Sequence, residues 1–441
     1  MAGELHSLPL GTVCYKIGSG ATPRGGKEAY RGGATSLIRS QNVYNDRFVH
    51  HGLAFIDDDQ ADELRNVVVE DGDVLLNITG DSVARCCQVD PAVLPARVNQ
   101  HVAIIRPRPD ILDAKFLRYS LVSPTMQAQL LALASAGATR NALTKGMLEA
   151  LVIAAPPLSE QRAIAHILGT LDDKIELNRR MNATLEAMAC ALFKDWFVDF
   201  GPVRAKLEGR EPYLPREVWD LFPNRLVESE IGEIPEGWEA QPLSAQFVII
   251  GGGTPKTSVT EYWNGDIPWF SVVDTPATGD VFIIATEKSI TERGLAGSSA
   301  KLIPKGTTII SARGTVGNLA VAGREMTFNQ SCYALRGAQG VGDYFVYLTA
   351  QQMVDQLKSM AHGSVFSTIT RQTFEAIQRP APPAAILLAF ERGVAAWFEA
   401  IRSSVEESRT LAQLREALLP KLISGELCVP EAMRQTEEAM A

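Results

Sequence analysis

Four short segments of this 441-residue chain recur once each, in the same order. IGSGATP (Ile17 to Pro23) returns as IIGGGTP (Ile249 to Pro255). GDVLLNITG (Gly72 to Gly80) returns as GTTIISARG (Gly306 to Gly314), an offset of 234. VNQH (Val98 to His101) returns as FNQS (Phe328 to Ser331) at 230, and GATRNALT (Gly137 to Thr144) as GSVFSTIT (Gly363 to Thr370) at 226. The last offset also carries Pro156-Pro157 onto Pro382-Pro383. The order is kept and the offset drifts only by loop-sized steps. A chain patterned this way is a duplication, and it should fold as two similar units rather than around one large core.

Each copy has two parts. The first is rich in Gly, Thr, Val and Ile, with short apolar runs such as VLLNI, VAII, TTII and LAVAG broken by turn residues. That pattern predicts mainly strands with some helix. The second part predicts a long helix, entered after the double proline, with Ser159 as its N-cap. Its seam runs Ile164, Leu168, Leu171, Ile175, Asn178, Asn182, Leu185, Ala189, Leu192, Trp196 at alternating spacings of four and three. Adding 226 gives Phe390, Val394, Trp397, Ile401, Ser404, Ser408, Leu411, Arg415, Leu418 and Leu422. Such seams pair with another helix. Both turn polar at the same two central positions. Antiparallel pairing about a pseudo-twofold axis would set Asn178 and Asn182 against Ser408 and Ser404. At 1.5 Å per residue the rod would be roughly 50–60 Å long. The expected fold class is therefore α+β: two mainly-β domains separated by an antiparallel two-helix coiled coil.

Hydrophobic residues at 46% and charged residues at 21% fit a chain with real cores. No apolar run is long enough for a membrane span, and six scattered cysteines without CxxC spacing argue against a disulfide framework or zinc site. A reducing cytoplasm is the expectation. The net charge of −9 argues against nucleic-acid binding until it is located. Segment 206–240 alone holds nine acidic and four basic residues. The two large segments, 1–150 and 241–376, are nearly neutral, leaving room for a basic face on each. With Pro212, Pro215, Pro223 and Pro235, segment 206–240 reads as an extended acidic connector. Residues 428–441 read as a frayed tail. Familiar catalytic signatures are missing: GxGxxG lacks its third glycine, and there is no GxxxxGK[ST], HExxH, GxSxG or NPPY-type motif. Neither a catalytic residue nor a metal ligand is expected.

PLSEQR with Ile164-Ala165, LDDKI (Leu171 to Ile175) with Asn178, FVDFGP (Phe197 to Pro202), IGEIPEGW (Ile231 to Trp238) and LREALLPKLISGEL (Leu414 to Leu427) together resemble the DNA-specificity (S) subunit of type I restriction-modification systems. The resemblance spans nearly the whole chain. It implies target-recognition domains at 1–150 and 241–376, helical spacers at 151–205 and 377–427, and no catalysis in this subunit. It also implies two methyltransferase (M) and two restriction (R) subunits as partners on double-stranded DNA. Each domain would read one half of a split, asymmetric site. S-adenosylmethionine, ATP and Mg are expected on the partners, and no cofactor on this chain. One departure stands out: the second helix starts PPAAILL without the Glu-Gln pair of the first, so weaker capping or partner docking is expected there. A coiled-coil scaffold or adaptor for other proteins is the alternative that two like domains on one rod would also serve.

Base reading calls for Arg or Lys at guanine, Asn or Gln at adenine, and Ser or Thr in support. In the first domain those types sit in loops at Thr22, Arg24, Lys27, Arg39, Asn42, Asn99, Gln100, Thr139, Arg140 and Asn141. The equivalent loops of the second supply Thr254, Lys256, Arg313, Asn329, Gln330, Ser364, Thr368 and Arg371. Asn99-Gln100 and Asn329-Gln330 recur in both copies, as turn formers would. Arg140 stands where the other copy has Phe366, as a specificity residue would. Arg85, Arg97 and Arg106 read as phosphate contacts or surface charges.

Overall fold

The computed structural model describes residues 5–23, 30, 32–45, 47–135, 141–276, 279–362 and 368–440. The chain forms two compact units, one built from 1–174 with 410–441 and the other from 175–409. Two long helices, Leu158–Phe197 and Ala384–Ser424, each contribute one half to each unit.

In the first unit, an antiparallel four-stranded sheet orders Cys14–Ser19, Val102–Pro107, Val74–Asn77 and Cys86–Gln88. A second sheet orders Ala54–Ile56, Thr35–Ile38, Ala96–Val98 and Val68–Val69, with a parallel pairing at its centre. The near-continuous apolar runs VLLN and VAII let both central strands bury both faces, and Val74 through Asn77 and Val102 through Ile105 are buried throughout. His6–Pro9 pairs with Val152–Ala155 and ties the start of this part to its end.

The second unit repeats the plan of two sheets. Phe247–Gly251, Cys332–Gly337, Thr308–Ser311, Leu319–Ala322 and Phe282–Ile283 form a five-stranded sheet. Lys288–Ile290, Trp263–Phe270 and Thr327–Phe328 form a three-stranded one. Glu239–Pro242 pairs with Gln378–Ala381, just as the ends of the first part pair. The Leu10 and Leu243 N–H groups donate to the Leu151 and Ile377 carbonyls at 2.9 and 3.0 Å, so the closing turn is the same in both copies.

Antiparallel pairing of the long helices is visible within the second unit. Asn178 faces Glu407 and Ser408, Leu192 lies against Gly393, and Trp196 against Phe390. Ile164, Leu168, Leu171, Ile175, Phe390, Val394, Ile401, Leu411 and Leu418 are buried along the seam, while Leu185, Leu192 and Trp397 are half-buried. The polar layer is uneven. The Asn178 amide donates to the Glu407 carboxylate at 2.8 Å and to Ser408 Oγ at 3.1 Å. Asn182, equally buried, has no hydrogen-bond partner for either amide atom, and Ser404 is buried beside this layer. A second apolar row, with Ile167, Phe193, Phe197 and Phe398, is also buried. In the second unit it carries the β-rich part: Tyr344 stacks on Phe398 with centroids 4.3 Å apart, and Phe345 meets Phe197 edge-on at 5.0 Å.

Polar clamps complete the attachment. Gln161 is 1% exposed; its carbonyl accepts the Asp113 N–H at 2.9 Å, and its amide donates to the Ile111 and Pro156 carbonyls. The equivalent position in the second helix is Leu387. There Glu391, one turn further on, accepts the Phe345 N–H at 2.7 Å and caps the helix Asp343–His362. The missing Glu-Gln pair is thus answered from a neighbouring position for this clamp. Ser159 is not the cap of the first helix, which already begins at Leu158, directly after Pro156-Pro157.

Two other expectations are corrected. Segment 206–240 is not an extended connector. It folds as the helices Gly201–Leu207 and Arg216–Trp219 and the hairpin Leu226–Ser229 with Gly232–Pro235. Trp219, Phe222, Ile234 and Trp238 are buried, and Trp196–Phe222 and Phe200–Trp238 pack edge-on at 5.2 and 5.7 Å. Its large side chains outweigh its prolines because the aromatic end of the first helix offers them an apolar surface. Residues 428–441 are not a frayed tail: Val429–Met440 is helical, with Ala432 and Thr436 buried.

Candidate nucleic-acid interface

The recurring segments meet in space. In the first unit the Gly20 N–H donates to the Val102 carbonyl, Ile78 N–H to His101, Leu143 N–H to Ile78 and Gly80 N–H to Asn141. In the second, Gly253 N–H donates to Phe328, Ala312 N–H to Ser331 and Ile369 N–H to Ala312, while Arg313 bridges Thr368. Residues 78, 101 and 143 thus correspond to 312, 331 and 369, the same offsets of 234, 230 and 226 seen in the repeat. Glycine is required where one loop crosses another. A Cβ at Gly20 would strike the Val98 and Asn99 carbonyls, and one at Gly252 the Asn329 carbonyl.

This shared frame is stitched by side chains that never leave it. Asn99 Oδ1 accepts the His101 N–H at 3.1 Å, and Asn329 Oδ1 the Ser331 N–H at 3.0 Å. Asn42 is fully buried; its oxygen accepts the Arg39 N–H and its amide donates to the Val49 carbonyl. Asp274 makes the matching turn cap with Ser271 in the second unit. Such local bonds define turns.

On the first frame opens a cleft of about 450 Å³ lined by Ser40, Gln41, Tyr44, Thr79 to Ser82, Arg85 and His101. The Arg85 guanidinium lies 4.7 Å from the Tyr44 ring centroid, with Arg47 at 6.0 Å from the same ring. Thr79 Oγ1 and His101 Nδ1 are 2.6 Å apart, and Gln100 reaches His101 Nε2 at 3.1 Å. Stacked Arg and Tyr with Thr, Gln and His offer donors and acceptors suited to base edges and phosphates. The second frame is equipped differently. The Asn77 N–H donates to the Arg85 carbonyl, and the Ser311 N–H to that of Asn318, which therefore stands where Arg85 does. The Asn318 amide reaches Thr275 Oγ1 at 3.5 Å. Ser331 replaces His101.

Residues 8–187 and 235–386 match the family described as the type I restriction modification DNA specificity domain. The chain belongs to this family. It is similar to the HindI specificity subunit of Haemophilus influenzae, 28% identical over 89% of this chain and 94% of that one. It also resembles the EcoR124I/EcoR124II specificity subunit of Escherichia coli, 40% identical over 23% of this chain and 24% of that one. A crystal structure of the type I restriction-modification S subunit from M. genitalium shares the fold, with a TM-score of 0.53 at 15% identity over 95% of this chain and 96% of that one. Specificity subunits are the non-catalytic components of type I systems and work with DNA and other subunits of the system. No helix among the described residues is long and apolar enough to cross a membrane.

The structure sorts the residues expected to read DNA. Thr22, Gln100 and Asn141 are exposed on the first frame, and Arg313 and Gln330 on the second. Thr254 bonds Gln330, and Thr368, half-buried, faces Arg313. Lys256 is exposed, while its carbonyl accepts the Trp263 indole N–H at 3.2 Å. Arg371 is exposed and donates to the Ile249 carbonyl at 3.0 Å, pinning a helix to a strand. The Asn42, Asn99 and Asn329 side-chain oxygens each accept a local backbone N–H, as turn formers do. Arg39 is half-buried and committed to the Gly52 carbonyl and the Tyr30 ring. Arg97 and Arg106 also turn inward: Arg97 donates to the Ala61 carbonyl and Arg106 pairs with Asp73 at 2.7 Å. Arg24, Lys27, Thr139, Arg140 and Ser364, like Phe366, lie outside the described residues. The expectations had not placed Gln41, Tyr44, Thr79, Ser82, Arg85 and His101 together. The available signal was an aromatic residue set among cations, Tyr44 near Arg39 and Arg47.

Proposed function

We propose that this chain reads a bipartite, asymmetric site in double-stranded DNA, each β-rich part recognising one half. The carrying observation is one loop frame, built twice with the same backbone bonds, bearing Tyr44, Arg85 and His101 in one copy and Thr275, Asn318 and Ser331 in the other. Two readers of different sequences need one scaffold and different donor sets. Because the whole chain is acidic at −9, much of the phosphate-derived affinity comes from partner subunits. Two methyltransferase and two restriction subunits dock on the helical parts. The exposed row Leu177, Met181 and Met188 on the first long helix supports such docking.

The test is selection from randomised duplex DNA with the chain assembled with its methyltransferase subunits. Two short motifs at fixed separation are expected. Arg85→Ala and Tyr44→Ala should weaken selection in one motif only, by roughly 10-fold to 100-fold. A pool that stays random, or that gives a single contiguous motif, overturns the reading.

A further inference from the structure

We propose that Asp172, on the first long helix, is a positioning residue that fixes the Tyr44–Arg85 reading cleft of the first unit. This rests on the reading of that cleft as a half-site reader. The Asp172 carboxylate accepts Arg118 at 2.6 Å and the Tyr119 hydroxyl at 2.6 Å, both from the helix Ala114–Val122. It also accepts Arg415 at 2.5 Å from the second long helix. One carboxylate therefore joins three helices of the unit. Burial opposes its charge, yet Arg118 and Arg415 hold it below the usual carboxylate range.

The network does not stop at the helices. Arg118 donates its second nitrogen to the Asn45 carbonyl at 3.2 Å. Asn45 Oδ1 accepts the Cys86 N–H at 2.9 Å, and its amide donates to Gln127 at 3.3 Å. Gln127 in turn donates to the carbonyls of Ala84, at 2.9 Å, and Leu121, at 2.7 Å. Ala84 is held at φ +71°, a strained setting for a residue with a Cβ. Asn45 is the chain neighbour of Tyr44, and Ala84 and Cys86 flank Arg85. Both partners of the stack are thus anchored, one residue away, to the carboxylate of Asp172. The second unit has no such node at the equivalent position, which is Phe398. There Glu186 holds Tyr347 at 2.6 Å and Gln351 at 2.9 Å instead. An effect of Asp172 should therefore be confined to one half-site.

The experiment uses the full chain assembled with its methyltransferase subunits and duplexes carrying base changes in either half of the selected site. The first half is defined as the one Arg85→Ala affects. Asp172→Asn should lower base discrimination there by about tenfold and leave the other half unchanged. Asn45→Ala breaks the relay without leaving a buried charge, so it should do the same at a melting temperature lowered only by the lost Cys86 hydrogen bond. The double variant should lose no more than the worse single one. If Asp172→Asn does not fold, Asn45→Ala and Tyr119→Phe decide alone. Equal loss in both halves, or full discrimination retained in the folded variants, overturns the inference. A wild-type complex without half-site preference would instead overturn the underlying reading.

Discussion

Glu391 shows how one residue can stand in for another at a cost. Burial pushes its carboxyl up to about 7, with Asp343 nearby adding to the rise and the Phe345 and Tyr344 N–H groups opposing it. Between its ordinary value of 4.5 and about 7 the folded chain holds this proton and the unfolded chain does not. Stability therefore falls as pH rises through that window, by at most about 1.4 kcal/mol per pH unit from this group. Glu391→Gln should flatten the slope, so the variant gains on the wild type between pH 5 and pH 7; denaturant melts at both values measure it. Asn42→Ala is the residue-scale contrast. It should cost about 1–2 kcal/mol through the lost turn cap, with half-site preference retained, as paired melting and binding curves would show. Residue type alone could not separate Asn42, Asn99 and Asn329 from readers, because the amide that suits adenine also suits a turn. Tyr44 was not singled out, and Arg85 showed only as a phosphate contact or surface charge, because loops about forty residues apart in sequence bring the two together.

The long helices were the most legible elements. Their alternating three and four spacing marked the seam, and antiparallel pairing about a pseudo-twofold axis set Asn178 against Ser408, the contact the structure shows. The flanking row with Phe193, Phe197 and Phe398 was not legible, since the spacing marks one seam while Phe345, Tyr344 and Tyr347 of the β-rich part, together with Phe390, cover this second row. The two central asparagines now differ in a measurable way. Asn178→Ala should destabilise by about 1–3 kcal/mol, because it strips hydrogen bonds from Glu407 and Ser408. Asn182→Leu should be neutral or stabilising by about 1 kcal/mol, because it removes buried amide atoms without partners. Urea unfolding of the two variants beside the wild type separates the cases.

At the scale of the chain, duplication was readable because four weak matches kept one order, and the backbone bonds between loops later reproduced their offsets. The connector was misread because proline and acid counts describe the exposed residues of a segment and not its buried ones. Trp238→Ala should therefore cost about 3–5 kcal/mol, as for a core aromatic and unlike a linker residue, when followed by thermal melting. Salt titration of DNA binding addresses charge at the same scale. If Arg85 contacts a phosphate, Arg85→Ala should lower the slope of log affinity against log salt by about one; if it reads a base, the slope should hold while discrimination falls.

The first unit takes in residues 410–441 as well as 1–174. On the ribosome its opening strands are finished long before the segment that completes it. At about 5–20 residues per second the interval is tens of seconds. During it Arg415 has not yet reached Asp172, and the apolar seam of the nascent helix lacks its partner. A message broken late in the reading frame would therefore yield a chain whose earliest-made half, with every loop present, is left unfinished.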